Sequence, residues 1–134
     1  MPLFTWRQDA RRRILVTAEG ELSFAAVAMV IEGQLEDGAW SYGVLYDARL
    51  VTEVLPADDL GNWVEKLQTL VSEHGPRGPV AVVTTSPDLR AVIKNYSEQT
   101  PESLLQIQAF DQYEMAERWL DDETRVSPGA PPRG

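Results

Sequence analysis

Asp47 is the side chain best placed to do chemistry in this sequence. It closes the apolar run Val44-Leu45-Tyr46 and stands two residues before Arg49. A carboxylate at the end of a buried strand can accept a phosphoryl group or help hold a cation. It can also accept hydrogen bonds from backbone amides and pair with an arginine. The nearby Arg49 favours this structural use. Asp58-Asp59 is the one adjacent carboxylate pair that opens a helical pattern. Neighbouring residues there point in different directions, so the pair suits helix capping and a protruding acidic contact better than metal binding. Thr84, Thr85 and Ser86 follow another apolar run, and Ser86-Pro87 has the order of an N-cap followed by the first helical residue. Asp47, Arg49, Asp58, Asp59, Thr85 and Ser86 are therefore the candidate partner-binding residues.

Reaction chemistry finds little support. A phosphoacceptor aspartate of the receiver type needs a second acidic pair for Mg²⁺ and a lysine after the last strand. Only Glu19 and Asp111 stand at comparable strand ends. A serine nucleophile needs a base beside it. The single histidine, His74, falls at the far end of a helix, where it suits the helix C-terminus. There is no cysteine, which excludes disulfides and thiolate metal sites. Gly75, Gly78 and Pro79 have turn spacing and do not form a phosphate loop. Arg90, Lys94, Asn95 and Tyr96 combine cationic, polar and aromatic character. Their spacing reads as a solvated helix face with Tyr96 turned inward, and a small anion near the helix start is the alternative. No cofactor is implied.

The elements that position these residues follow from apolar periodicity. Leu3, Phe4 and Trp6 make a first edge strand. Arg11-Arg12-Arg13 reads as a solvated approach to a second strand over 12–18, which Glu19 and Gly20 end. Ser23 caps a helix with Phe24, Val27, Ala28, Ile31 and Leu35 on one face. Residues 40–47 form strand three, covered on both faces, and 48–56 form a loop. The stripe Leu60, Trp63, Val64, Leu67, Leu70 and Val71 defines helix two, stopped by His74-Gly75-Pro76. Strand four is 79–84, and helix three buries Leu89, Val92, Ile93 and Tyr96. Strand five is 104–110. Asp111 with Glu114 has capping-box spacing before helix four, whose apolar face is Tyr113, Ala116, Trp119 and Leu120. Residues 1–123 thus form one α/β domain with a mostly parallel five-stranded sheet and four helices, in the order ββαβαβαβα. The Pro/Gly-rich residues 124–134 read as a flexible tail.

At 134 residues the chain suits one core, and its 43% apolar content is ordinary for a folded domain. A net charge of -9 opposes binding to nucleic acid phosphates and to anionic membranes. There is no signal-like apolar run and no long apolar segment, so a cytoplasmic protein outside the bilayer is expected.

The order of elements, with Val44-Leu45-Tyr46-Asp47, Val51-Thr52, the acidic approach to helix two and the Pro79–Val83 strand, resembles the STAS superfamily. Gln108-Ala109-Phe110-Asp111 leading into the last helix adds to the likeness. The resemblance covers roughly residues 10–121, and is closest to SpoIIAA-like bacterial proteins of uncharacterised function. It implies a regulatory, protein-binding role like that of anti-sigma-factor antagonists. Those proteins carry an Asp-Ser-x-Gly type loop whose serine is phosphorylated. This chain has Leu55-Pro56-Ala57-Asp58 there, with no hydroxyl between Thr52 and helix two. The phosphorylation switch therefore does not carry over, and Asp58 or Asp59 would supply a constant negative charge instead. The leading expectation is a non-enzymatic domain that contacts a protein partner through residues 49–59 and the Thr85-Ser86 turn. The alternatives are a small-molecule or lipid carrier with an apolar pocket, and an enzyme with its site at the strand C-terminal ends.

Overall fold

The computed structural model describes residues 3–54, 60–75, 77–99 and 106–125. Within these spans, the side chains of residues 3, 24, 25, 54, 60–64, 99, 124 and 125 are left undescribed. The chain begins with β1 (Leu3–Gln8), which turns through a short 3-10 segment (Asp9–Arg11) into β2 (Arg13–Leu22). The turn closes with Arg12 in the left-handed region (φ 51°), its N–H on the Asp9 carbonyl. Helix α1 (Phe24–Glu36), β3 (Gly43–Val54), α2 (Leu60–His74) and β4 (Val80–Val83) follow. The order then runs α3 (Pro87–Gln99), β5 (Ile107–Phe110) and α4 (Tyr113–Arg125).

The five strands lie in the spatial order β1-β2-β3-β4-β5. A tight turn allows only an antiparallel neighbour, and β1 pairs β2 that way, from Leu3↔Ala18 to Gln8↔Arg13. Every later connection passes through a helix, and the pairs β2–β3, β3–β4 and β4–β5 are parallel. Side chains alternate across the sheet, so the two faces have separate cores. On one face Val16, Val44, Tyr46, Val80 and Val82 pack with Ile31 of α1, Leu67 of α2, and Leu89, Ile93 and Tyr96 of α3. On the other, Leu45, Ala81 and Val83 pack with Ala116 and Leu120 of α4. One-directional strand order with crossovers of one hand places α1, α2 and α3 together. Only α4, which follows the last strand, is free to cover the opposite face.

The expected order of elements and the mostly parallel sheet are present. Two boundaries differ in a way that matters for the site. Strand β2 continues to Leu22, beyond Ala18, and β3 continues through 48–54, the segment expected to be a loop. The two extensions pair with each other, from Glu19↔Leu50 to Leu22↔Val54, around register shifts after Thr17 and after Gly20. Gly20, at φ 70°, accommodates the irregularity. Mutual pairing satisfies the backbone of both segments, which neither would achieve as a loop. At its start β3 is shorter than expected, because Ala39 and Trp40 belong to a hydrogen-bonded turn off α1.

Gly78 brings two backbones together before β4. A Cβ there would lie 2.5 Å from the Ser41 carbonyl oxygen and closer still to that of Tyr42, so only glycine fits. Ser23 caps α1 by accepting the Ala26 N–H (3.2 Å), and Ser86 caps α3 by accepting the Leu89 N–H (3.2 Å). Helix α4 starts at Tyr113, with the Ala116 N–H on the Gln112 carbonyl. The half-in residue is therefore Gln112, one beyond the expected Asp111. No described helix is long and apolar enough to cross a membrane.

Candidate functional site

The rim formed by the C-terminal ends of the parallel strands holds the candidate site. Asp47 lies in register with Thr17 of β2 and Val83 of β4. Residues two apart on a strand share a face, so Arg49 folds back onto Asp47 from the extension of β3. Arg49 Nε donates to Asp47 Oδ1 (2.8 Å) and Nη2 to Oδ2 (2.7 Å), while the Arg49 N–H also reaches Oδ1 (3.3 Å). These bonds favour the ionised carboxylate. The Arg49 side chain, against partial burial, holds Asp47 below the usual carboxylate range. In return Asp47 raises the Arg49 guanidinium above its ordinary value. Such an aspartate is a weak base, suited to fixing a guanidinium rather than removing a proton.

The same guanidinium lies 5.4 Å from the centre of the Tyr113 ring at the start of α4. Burial raises the Tyr113 phenol above its ordinary pKa, with Glu117 and Asp47 adding to the effect. Arg49 thus links β3 to the first turn of α4 and stays half exposed. Beside this cluster runs a groove of about 210 Å³ whose lining includes Phe4, Trp6, Leu15, Thr17, Asp47 and Tyr113. It lies where the sheet runs past α4, which packs on β3, β4 and β5 and reaches β2 at Arg13 and Leu15. Phe4 and Trp6 are 56% and 67% exposed there.

Of the six residues singled out from sequence, Asp47 and Arg49 come together in the expected pair. Thr85 and Ser86 stand on the same rim, just beyond β4. Thr85 is exposed, whereas the Ser86 hydroxyl is occupied as the α3 cap and the Ser86 N–H donates to the buried Thr84 hydroxyl (3.0 Å). Asp58 and Asp59 lie outside the described residues. The stretch from Arg49 to Val54 is strand, so this part of the expected contact loop presents a sheet end instead.

Three features escaped the sequence reading. Arg13, expected to be solvated, is 1% exposed. Its Nη2 donates to Asp121 of α4 (2.6 Å), and its Nη1 is enclosed without a partner. The signal was alternation, because Arg13 shares the inward face of β2 with Leu15. Tyr113 was placed in the apolar face of α4, but the stacked arginine could not be seen from spacing. At the opposite end of the sheet, Arg7 and Arg12 flank the Tyr42 ring at 5.2 and 5.3 Å. The Tyr42 hydroxyl donates to Asp9 (2.6 Å). Nearby, Arg77 donates to Gln34 (2.6 Å) and lies 5.3 Å from the Trp40 ring centre, where burial lowers its pKa. Burial also pushes the neighbouring Tyr46 phenol up to about 12.

His74 ends α2, away from the rim, with its ring centre 5.9 Å from that of Trp40. Arg90 and Lys94 are exposed on α3 and Tyr96 is buried. Among the described residues no three His, Asp or Glu side chains gather as a metal site.

A scan against family models and a search of curated proteins each found no match. Solved structures do match. An uncharacterised protein of the DUF3478 family from Shewanella loihica PV-4, described as having a SpoIIAA-like fold, shares 16% identity at a TM-score of 0.52. The match covers 88% of this chain and 91% of that one. The anti-sigma-factor antagonist SpoIIAA in its unphosphorylated form shares 17% at 0.53, covering 90% and 96%. An anti-sigma-factor antagonist from Mycobacterium paratuberculosis shares 15% at 0.52, covering 88% and 93%. Together with the antiparallel β1, the parallel remainder of the sheet and the element order, these likenesses identify the architecture: the chain has the SpoIIAA-like, or STAS, fold.

Proposed function

We propose that this chain is a non-enzymatic regulatory domain that binds a protein partner at the strand-end rim. The observation that carries the reading is the Arg49 guanidinium, fixed by Asp47 on one side and stacked over Tyr113 on the other, yet half exposed. A preordered arginine beside aromatic side chains is the composition of an interface hot spot, because little side-chain entropy is lost on binding. Thr85 and Ser86 extend the surface along the rim. Two of the structures with this fold are described as anti-sigma-factor antagonists, which makes a protein the natural class of partner. Lacking a hydroxyl between Thr52 and α2, the chain would bind constitutively, with Asp58 or Asp59 in place of a phosphorylated serine.

The groove beside Asp47 and Tyr113, about 210 Å³, is smaller than the roughly 300–1,000 Å³ of typical small-molecule sites. Affinity capture from cell extract, with quantitative mass spectrometry, tests the proposal. Wild-type bait is expected to enrich a protein that Arg49→Glu and Tyr113→Ala baits lose by roughly tenfold or more, and that an Arg90→Glu bait retains. Equal enrichment by all four baits would place the contact surface elsewhere.

A further inference from the structure

We propose that the edge strand β1 pairs antiparallel with β1 of a second copy of this chain about a two-fold axis. All six residues of β1 pair with β2 in unbroken register, so the strand is straight on its inner side. Among the described residues no strand covers its outer side. An uncovered edge of this kind presents free N–H and C=O groups. Edges that must stay single are usually blunted by proline, lysine or a bulge. The sequence LFTWRQ contains no proline, its single charged residue, Arg7, stands near its end, and no register shift interrupts it.

The strand is self-complementary. In an antiparallel pair centred on Thr5, Phe4 of each copy stands opposite Trp6 of the other, on one face of the joined sheet. Among the described residues these are the two most exposed aromatic side chains, on the same sheet face as α4 and beside the groove that Tyr113 helps to line. The charges obey the same symmetry. The end of β1 and the following turn carry the exposed Arg7, Arg11 and Arg12, a cationic cluster on an acidic chain. The start of β1 lies beside Ala18, next to the exposed Glu19 and Glu21 at the end of β2. A two-fold axis brings the arginine end of one copy to the glutamate end of its partner, twice. The partner's β2 then lies two strand spacings away, about 10 Å, which arginine and glutamate side chains can span. Arg7 bonds Asp9 and the Asp37 carbonyl, Arg11 meets Glu117, Arg12 meets Ser41, and Arg7 and Arg12 flank the Tyr42 ring, yet all three arginines stay exposed and such surface contacts leave their charge largely available. Such an interface is small, below about 1,200 Å² in total, and belongs to the weak and reversible class.

Sedimentation velocity from about 5 to 500 μM, at about 50 mM and 1 M salt, tests this. The expected result is a monomer–dimer equilibrium in the micromolar range, weakened roughly fivefold or more by the higher salt. Trp6→Lys and, separately, Phe4→Lys should be monomeric throughout, with unchanged far-ultraviolet circular dichroism. The double variants Glu19→Arg/Glu21→Arg and Arg11→Glu/Arg12→Glu should each self-associate poorly, and a dimer should return when they are mixed. A wild type that stays monomeric at the highest concentration overturns the proposal. So does a dimer that survives both lysine variants, or charge variants that fail to rescue each other.

Discussion

The bidentate pair between Asp47 and Arg49 has a titration signature. Its folded-state pKa is depressed chiefly by the Arg49 side chain, so the pair adds stability above the ordinary carboxylate value of 3.8. That contribution is lost as pH falls through the folded value. Arg49 is half exposed and Asp47 partly so, and solvent screening keeps the effect below about 1 kcal/mol. Urea unfolding of Asp47→Asn should therefore show a small loss at pH 7. The gap to wild type should close at pH well below 3.8, where both side chains are neutral. Gly78 is a sharper case, because a Cβ there meets two carbonyl oxygens. Gly78→Ala should cost about 2–3 kcal/mol or more, read as a fall in thermal midpoint, since backbone atoms must move apart. The Asp47–Arg49 pairing was legible from i, i+2 spacing after a buried run. The need for glycine at 78 was not, because the atoms it would strike are more than thirty residues earlier.

At the scale of elements, α4 is fastened to the sheet by apolar packing and by the ion pair from Arg13 to Asp121. The Arg13 head is buried with Nη1 unpartnered, so removing the charge and keeping the stem should be tolerated better than truncation. Arg13→Met is expected within about 1 kcal/mol of wild type, and Arg13→Ala to lose about 3 kcal/mol in chemical denaturation. The caps behave more simply. Ser23→Ala and Ser86→Ala should each cost about 1 kcal/mol, because each hydroxyl satisfies one backbone N–H at a helix start. Both caps could be read from local sequence, since the bonds they make span three residues. The β2 and β3 extensions could not, because each is a strand only in the presence of the other.

For the whole molecule, the sheet grades from a doubly covered centre to open edges. All four residues of β4 are buried, with α4 on one side and α3 among the packing on the other. Beyond Asp47, the β2–β3 extension has no third strand in register with it among the described residues and passes through two irregularities. Amide hydrogen exchange should follow that gradient. Val80–Val83 and Val44–Asp47 should be protected longest, and Glu19–Leu22 should exchange orders of magnitude faster, through local opening.

The sequence by itself determined the alternation of strands and helices, the parallel sheet that alternation requires, the two serine caps and the Asp47–Arg49 pair. Each depends on periodicity or on contacts within a few residues, which composition and spacing record directly. Only the tertiary structure decided that Arg13 is buried and that Arg49 rests on Tyr113. The same holds for the placement of α4, which leaves Phe4 and Trp6 open beside the rim. These depend on which face each helix covers and on partners far away in the chain. A strand's alternation gives two faces, and only packing determines which of them meets water.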